Sequence, residues 1–284
     1  MKLINGKEIA AEVRAELTAE CAAFVAKHGY APGLAVVIVG EDPASRIYVR
    51  NKARACEEVG FYSEVHRLPA ETEQAELNDL IDRLNADRRI HGILVQLPLP
   101  AHLDAEAITL RIDPRKDVDA FHPFNVGRIL LGDPIFLPCT PAGVMELLKR
   151  SGIDPAGKRC VVIGRSNIVG KPMAMLLLAA NGTVTICHSR TVGLAAVTRE
   201  ADILVSAVGR AGFVTADMVK SGAVVIDVGM NRDANGKLVG DVDFPSVAPL
   251  CSFITPVPGG VGPMTITMLL RNTLVAAERG TVQA

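Results

Sequence analysis

Three polar side chains in the first half of the chain have types and positions suited to proton transfer. Tyr48 and Lys52 are four residues apart in a stretch that follows an apolar strand, so they share one face of the expected helix. Gln96 ends a second apolar strand, where a buried amide needs a partner. A lysine whose pKa is lowered by burial can accept a proton beside a flat substrate. The alternative is that Tyr48 and Lys52 are ordinary surface neighbours.

Two acids, Asp117 and Asp119, lie in a loop that is rich in charge yet interrupted by apolar residues. If this segment is extended, alternation places both carboxylates on the same side. One of them could then bind a cationic or amino-bearing ring. A solvated turn is the alternative interpretation.

A candidate phosphate-binding turn lies in the second half of the chain. The apolar strand ending at Ile163 enters a turn at Gly164, and a helix begins near Gly170. Such a strand–turn–helix unit directs free backbone N–H groups at a pyrophosphate. The glycines do not have the G-x-G-x-x-G spacing, so an ordinary turn between strand and helix stays an alternative.

The strand that follows this turn indicates which dinucleotide it binds. NAD sites usually place an acid at the end of that strand, whereas here the residues are His-Ser-Arg-Thr at 188–191. Ser189 and Arg190 could bind the 2′-phosphate of NADP, and Arg165 in the turn is a second guanidinium for phosphate oxygens. We therefore predict NADP, although Arg190 could also be a solvated surface charge.

Apolar strands alternate with helical stretches throughout, which predicts an α/β fold with parallel sheets and crossover helices. We expect a catalytic domain at residues 1–139 with a C-terminal helix at 264–284, and a Rossmann-type NADP-binding domain at 140–263. Residues 113–138 have few periodic signals and are interpreted as a long connection. The expected strands are at 34–39, 92–97, 159–163, 183–188, 203–208 and 224–228, with helices at 73–85 and 264–277.

Composition excludes several classes of function. The 284 residues are 49% apolar with a formal net charge of −1, so no basic field attracts nucleic acid or a membrane surface. No apolar run is long enough to span a bilayer, and no signal-peptide pattern is present. Six dispersed cysteines and six histidines show no metal-ligand spacing. We expect a cytoplasmic protein with reduced thiols and no bound metal.

Eight short motifs, taken in order, resemble one enzyme family along nearly the whole chain. They are YVRNKARAC, VQLPLP, KDVDAFHP, PCTPAG, GRSNIVGKP, CHSRT, DVGMNR and TPVPGGVGPMT. The family is the bifunctional methylenetetrahydrofolate dehydrogenase/cyclohydrolase family. The resemblance implies NADP-dependent oxidation of 5,10-methylenetetrahydrofolate, hydrolysis of the product, a place in one-carbon metabolism and purine biosynthesis, and a homodimer formed through the nucleotide-binding domain.

The resemblance also implies roles for individual residues. Lys52 would transfer protons, Gln96 would hydrogen-bond it, and Tyr48 would stack near the folate ring. Asp119 would anchor the pterin. The folate groove would be shaped by Leu97, Pro98, Pro258 and Gly259, and NADP would contact Gly164, Arg165, Ser166, Ser189 and Met230.

Three positions depart from the family pattern, which usually carries lysine, glycine and isoleucine where this chain has Arg54, Ala120 and Met230. Arg54 keeps the charge, and Met230 preserves an apolar contact. Ala120 alters the geometry of the Asp119 loop if the backbone there needs a positive φ, because a Cβ is costly in that region.

Three other functions compete with this interpretation. A monofunctional dehydrogenase would keep Lys52 but hydrolyse weakly, and a methenyl-hydrolysis assay without cofactor separates it. Another Rossmann-type NADP oxidoreductase, acting on a small hydroxy acid, would not need Tyr48, Gln96 and Asp119 together. A non-catalytic NADP sensor would bind the cofactor without turnover.

Overall fold

The computed structural model describes residues 1–282, apart from the side chains of residues 44, 281 and 282. The chain forms two compact units. The large-sheet unit contains Met1–Ala11 and Thr140–Thr265 and has a six-stranded sheet. The small-sheet unit contains Glu12–Cys139 and the segment from Ile266 onward, and has a three-stranded sheet.

Helices and strands alternate along the chain, which confirms the α/β prediction. The helices are α1 (Gly6–His28), α2 (Pro43–Val59), α3 (Gln74–Ala86), α4 (Ala105–Arg111), α5 (Pro123–Leu130), α6 (Cys139–Arg150), α7 (Gly170–Ala179), α8 (Leu194–Thr198), α9 (Phe244–Val247) and α10 (Val261–Val282), with short 3-10 turns at Ala216–Met218 and Ala248–Leu250. The strands are β1 (Lys2–Leu3), β2 (Gly33–Val39), β3 (Tyr62–Leu68), β4 (Gly92–Val95), β5 (Arg159–Ile163), β6 (Thr183–Cys187), β7 (Ile203–Ser206), β8 (Val224–Asp227), β9 (Asn231–Arg232), β10 (Leu238–Val239) and β11 (Phe253–Ile254).

The sheet of the small-sheet unit is parallel, with the order β3-β2-β4. All seven residues of the central strand β2 are buried, as its unbroken apolar sequence requires. Helix α3 packs Leu77 and Ile81 into the same core, which also contains Val37. The sequence pattern does not reveal β3, because this edge strand carries glutamate, histidine and arginine on its partly exposed surface.

The large sheet is parallel throughout, with the order β1-β11-β8-β7-β5-β6. After β5 the chain adds β6 on one side, then crosses back to add β7 on the other side of β5. The carboxyl ends of β5 and β7 therefore flank the point where the strand order reverses. In open parallel sheets this point is where ligands bind. A small antiparallel ribbon, β9–β10, follows β8.

Two expectations about helices need correction. The supposed long connection at residues 113–138 contains α5, whose start has an N-cap histidine and proline in the first turn. Its eight residues are too few to show a clear helical period. The last helix begins at Val261 and not near 264, since proline at position 263 is tolerated in a first turn. It continues to Val282, and the predicted residues 283–284 lie outside the described part of the chain.

The strands of the second half match their predicted positions, although three end one or two residues early and β4 ends at Val95. No helix in residues 1–282 is both long and apolar enough to cross a membrane. All six cysteines are buried free thiols. Within the described residues, no cluster of three or more histidine, cysteine or acidic side chains could hold a metal ion.

Candidate active site

Helix α2, which carries the candidate lysine, begins where the sequence predicts. The carboxylate of Asp42 accepts a hydrogen bond from the backbone N–H of Ser45 at 2.7 Å, and Pro43 occupies the first turn. Lys52 has only 8% of its surface exposed, and Tyr48, one turn earlier, is partly buried. The helix therefore presents its amine to the interior of the small-sheet unit.

The amine and the carboxamide are in direct contact. Lys52 Nζ donates to Gln96 Oε1 at 3.0 Å, and Gln96 Nε2 donates to the carbonyl oxygen of Leu97 at 2.8 Å. These two bonds fix the orientation of the amide. Burial lowers the pKa of Lys52, although the nearby carboxylate of Asp119 opposes this change. A lowered pKa increases the share of neutral amine, which is the form that accepts a proton.

Parallel strands explain why these separated residues meet. Lys52 follows β2, and Gln96 follows its neighbour β4 at the same edge of the sheet. The segment that leads to Asp119 runs beside β4, because Ile93 and Asp117 form a parallel bridge. Because these segments run parallel, the start of α2, Gln96 and the Asp119 turn all lie beyond the same end of the sheet, and α2 carries Lys52 to the amide in its third turn. The structure thus brings together the amine, the amide and the acid that the sequence singled out.

The expectation that Asp117 and Asp119 lie on the same side is wrong. The N–H of Ala120 donates to the carbonyl oxygen of Asp117 at 3.0 Å, so the segment is a turn and not an extended strand. Asp119 approaches Lys52, whereas Asp117 is buried and holds the start of α5. The Asp117 carboxylate accepts from the N–H groups of Phe121 (3.2 Å) and His122 (2.8 Å) and from Asn125 Nδ2 (2.8 Å).

Sequence reasoning gave no role to Cys139 and Asn272, which support the Asp119 turn. Asn272 Nδ2 donates to the carbonyl oxygens of Val118 (2.7 Å) and Leu137 (2.8 Å), and the Cys139 thiol also reaches Val118 O at 3.4 Å. Burial, with a smaller contribution from the Asp119 carboxylate, raises the pKa of Cys139 well above its ordinary value. Cys139 is therefore a neutral thiol beside the acid. Only the PCTPAG motif could have indicated it.

The backbone at Ala120 is in the left-handed region, with φ 58°, and its side chain is fully buried. Alanine therefore replaces the family's usual glycine at a position where a Cβ strains the backbone. Left-handed backbone costs a non-glycine residue about 1–2 kcal/mol. Because the buried methyl group offsets part of that cost, alanine is tolerated here.

We expect Ala120→Val to lower the free energy of unfolding by about 2–4 kcal/mol, since a β-branched residue strains this backbone and overfills the core. Ala120→Gly should change the free energy by less than about 1 kcal/mol, because relief of strain and loss of the methyl contact cancel. Urea unfolding of the three proteins measures both. If Ala120→Val has the same free energy of unfolding as the wild type, the backbone at residue 120 is not strained.

The predicted phosphate-binding turn follows β5 in the large-sheet unit. Gly164 has φ 130°, and a Cβ there would lie 2.4 Å from Ala207 O. A Cβ at Gly170 would lie 2.2 Å from Gly164 O, so the two glycines cross closely. The hydroxyl of Ser166 accepts from the N–H groups of Val169 and Gly170, both at 3.2 Å, and thus caps α7. The turn has the tightness that close approach of a pyrophosphate requires.

Gly164→Ala should destabilise the protein by about 3 kcal/mol or more, because the new methyl group adds a backbone clash to an unfavourable φ. It should also weaken NADP binding. Gly152→Ala is the matched control, since Gly152 has φ 70° but open space around it, and should cost only about 1–2 kcal/mol. Equal unfolding midpoints for the two variants would refute the proposed packing of Gly164.

The other predicted cofactor residues lie in loops at the same end of the large sheet. The N–H of Gly164 donates to Cys187 O at 2.8 Å, which ties the turn to the end of β6. Because β5 and β6 are parallel neighbours, the two loops that carry arginine share one sheet edge. Arg165, Ser166, Ser189, Arg190 and Met230 are all exposed. Their contacts with NADP stay predictions.

The four residues predicted to shape a folate groove belong to two different units. Leu97 and Pro98 directly follow the amide of Gln96 in the small-sheet unit, where Leu97 is partly buried and Pro98 is exposed. Pro258 and Gly259 belong to the large-sheet unit, where Gly259 O accepts from the N–H of Lys7 at 3.2 Å. A shared contact of these four residues with folate stays a prediction.

Comparison with protein-family models gives two matches that cover most of the chain. The model described as tetrahydrofolate dehydrogenase/cyclohydrolase, catalytic domain, matches residues 4–119. The model described as tetrahydrofolate dehydrogenase/cyclohydrolase, NAD(P)-binding domain, matches residues 138–281. Lys52, Gln96 and Asp119 fall in the first match, and the Gly164 turn falls in the second.

Individual relatives agree with these models. The bifunctional protein FolD of Moorella thermoacetica is 64% identical over 278 residues, which is 98% of this chain and 99% of that protein. The solved FolD structure from Campylobacter jejuni is 51% identical, covers 98% of this chain and 99% of its own, and gives a TM-score of 0.96. A Trypanosoma brucei FolD structure, complexed with NADP cofactor and inhibitor, is 43% identical, covers 99% and 98%, and gives a TM-score of 0.94. This chain therefore belongs to the tetrahydrofolate dehydrogenase/cyclohydrolase family.

Proposed function

We propose that this protein oxidises 5,10-methylenetetrahydrofolate to 5,10-methenyltetrahydrofolate with NADP, and hydrolyses the product to 10-formyltetrahydrofolate. The observation that carries the proposal is the buried amine of Lys52, bonded to Gln96 and close to Asp119, within the matched catalytic domain. The two family matches and the bifunctional relatives support both activities in one chain. The proposal assigns folate binding to residues 1–139 and 264–284 and NADP binding to residues 140–263, although Met1–Ala11 pack with the large-sheet unit.

The residues of the small-sheet unit suit a folate ring. A carboxylate accepts hydrogen bonds strongly from amino and ring N–H groups, so Asp119 anchors the pterin. Tyr48, one helical turn from Lys52, offers an aromatic face for stacking. Leu97 and Pro98, which directly follow Gln96 in this unit, add apolar contacts.

The residues of the large-sheet unit fit NADP. The cradle at Gly164 has no room for a Cβ, Arg165 and Arg190 supply guanidinium groups, and residues 188–191 include no acid that would repel a 2′-phosphate. Held by the Gly164 turn, Arg165 and Arg190, NADP would supply the acceptor for a hydride from the methylene carbon of the folate. The protein contributes the distance and the face of approach.

Hydrolysis of the methenyl compound rests on Lys52. The neutral amine accepts a proton from the water that adds to the methenyl carbon, and returns a proton to the ring nitrogen as its bond to that carbon breaks. Gln96 holds Nζ in place throughout, because its oxygen accepts from Nζ while its Nε2 donates to Leu97 O. One water is consumed, and the formyl group remains on the other nitrogen with net release of one proton.

The test is the absorbance change when the protein is mixed with methylenetetrahydrofolate and NADP, repeated with NAD. We expect reduced cofactor to form with NADP in preference to NAD. A second assay adds methenyltetrahydrofolate without cofactor, and we expect its absorbance to decay at an enzyme-dependent rate. Oxidation without hydrolysis would support a monofunctional dehydrogenase, and cofactor binding without turnover would support a sensor.

We propose that the protein acts as a homodimer in the cytoplasm, where its 10-formyl product serves purine biosynthesis. The edge strand β6 of the large sheet supports the dimer, since the free edge of a sheet offers backbone groups to a second chain, and Ile186 on this strand is 36% exposed. Sedimentation equilibrium should give twice the mass of one chain. A monomer at micromolar concentration would reject the dimer.

A further inference from the structure

Two buried carboxylates in the large-sheet unit, one at the end of β8 and one after β10, have no role in the chemistry above. Asp241 is 0% exposed, and Asp227, the last residue of β8, is 3% exposed. Their hydrogen bonds come from backbone N–H groups and from two uncharged side chains. Each carboxylate is therefore stabilised by hydrogen bonds from the surrounding loops and not by an ion pair.

Asp241 accepts five hydrogen bonds. Three of them come from consecutive backbone N–H groups at residues 208–210, which form the kind of concavity that binds anions. The protein fills that concavity with its own carboxylate. Oδ2 accepts from Val208 N (2.7 Å), Gly209 N (3.2 Å) and Ser206 Oγ (3.2 Å), and Oδ1 accepts from Arg210 N (2.9 Å) and Asn231 Nδ2 (2.9 Å).

The loops that donate to Asp241 lie near the point where the strand order of the large sheet reverses. Residues 207–210 follow β7, and Ala207 O packs where a Cβ at Gly164 would lie. Asn231, the first residue of β9, directly follows Met230 in the loop after β8. The Asp241 carboxylate thus connects residues 207–210, which pack against the Gly164 turn, to the loop that carries Met230. Loss of hydrogen bonds to Asp241 therefore affects loops at the point where ligands of parallel sheets bind.

We propose that Asp241 is a positioning residue for the dehydrogenase reaction, holding the loops after β7 and β8 in the shape that receives NADP. This inference rests on the proposed function. It assigns Asp241 no contact with the cofactor, since the carboxylate acts through the backbone of residues 208–210 and through Asn231. The hydrolysis step, which uses Lys52 and no cofactor, does not depend on it.

The second carboxylate and two glycines hold Asp241 in place. Asp227 accepts from the N–H groups of Asp241 (2.9 Å), Val242 (2.9 Å) and Gly229 (2.8 Å). A Cβ at Gly229 would lie 2.3 Å from Asp241 Oδ1, and one at Gly240 would lie 1.8 Å from Asp227 Oδ2. Burial raises the pKa of Asp227 to about 6, so this acid is still largely ionised at neutral pH. The two carboxylates thus pack so closely against Gly229 and Gly240 that neither position has room for a side chain.

The test is Asp241→Asn, which keeps the size of the side chain but exchanges one acceptor oxygen for an NH₂ group. That group cannot accept from the N–H groups on its side, so one loop must move. We expect the KM for NADP to rise about tenfold or more, as loss of hydrogen bonds to a charged acceptor implies. Cyclohydrolase activity per folded molecule should stay within about twofold of the wild type.

Asp243→Asn is the matched control, because Asp243 lies two residues away and its side chain makes no cap hydrogen bond to α9. Both of its activities should equal those of the wild type. Asn231→Ala removes one donor and leaves the charge, so the KM for NADP should rise only about two- to fivefold. This milder variant decides the question if Asp241→Asn does not fold.

Calorimetric titration with NADP and both activity assays separate the outcomes. A rise in KM and Kd for NADP with unchanged hydrolysis supports the positioning role. An unchanged KM and Kd for NADP in folded Asp241→Asn, or equal losses of both activities, overturns it. A wild-type protein that binds NADP but does not oxidise methylenetetrahydrofolate would refute the proposed function instead, independently of the variants.

Discussion

Replacing Lys52 with methionine should reduce the rate of methenyltetrahydrofolate hydrolysis by about 10²- to 10⁴-fold, the usual contribution of one proton-transfer group. Methionine matches the length and apolar stem of the lysine but has no amine to accept the proton of the attacking water. The loss of methenyl absorbance without cofactor measures the rate directly. NADP affinity should not change, because the cofactor residues belong to the large-sheet unit.

Lys27→Met is the control for this variant, since Lys27 is exposed on α1 in the same unit. It should leave hydrolysis, oxidation and stability unchanged. Wild-type hydrolysis by folded Lys52→Met protein would end the role of the amine.

The same variant tests the lowered pKa of Lys52 through stability. The folded state binds its proton less tightly than the unfolded state, whose lysine has a pKa of about 10.4. The unfolded state therefore holds more protons between the two pKa values, and the stability of the wild type rises with pH across that interval. Lys52→Met lacks this rise. Urea unfolding at several alkaline pH values should show the wild type gaining on the variant as pH approaches about 10.4.

We expect kcat/KM for methenyl hydrolysis to rise with pH as Lys52 loses its proton, and we expect Gln96→Glu to shift this rise to higher pH. A carboxylate in place of Oε1 lies about 3 Å from Nζ and favours the charged amine, which raises the pKa of Lys52. The neutral fraction of Lys52 falls, so the hydrolysis rate at pH values below this rise should drop by about tenfold or more. The measurement is kcat/KM for methenyl hydrolysis from pH 6 to pH 10.

Gln96→Leu separates the effect of charge from loss of the hydrogen bond. It removes the acceptor for Nζ without adding a carboxylate. The rate of methenyl hydrolysis should therefore fall, but the rise of kcat/KM with pH should not shift to higher pH. If the profiles of Gln96→Glu and Gln96→Leu coincide, the electrostatic control of Lys52 by residue 96 is disproved.

Chain order and local chemistry were sufficient for much of the architecture. The apolar stretch of β2, the cap of α2 at Asp42 and Pro43, and the strands around the Gly164 turn were all predicted, because each depends on neighbours in sequence. The candidate Gln96 follows from a similar argument, since a polar group at the end of a buried strand needs a partner, and Lys52 follows from its helical spacing to Tyr48. Weakly periodic or polar elements such as α5 and β3 could not be recognised this way.

Tertiary structure decided which of these groups touch. Only the fold shows that Asp119 turns toward Lys52 while Asp117 serves the backbone of α5, because one turn at Ala120 reverses the expected alternation. Only the fold places Asn272, more than 130 residues after Leu137, against the Asp119 turn. The residue types and their order were thus determined by the sequence, through local propensity and strand direction. The contacts between distant segments were not, because they depend on packing that no local pattern encodes.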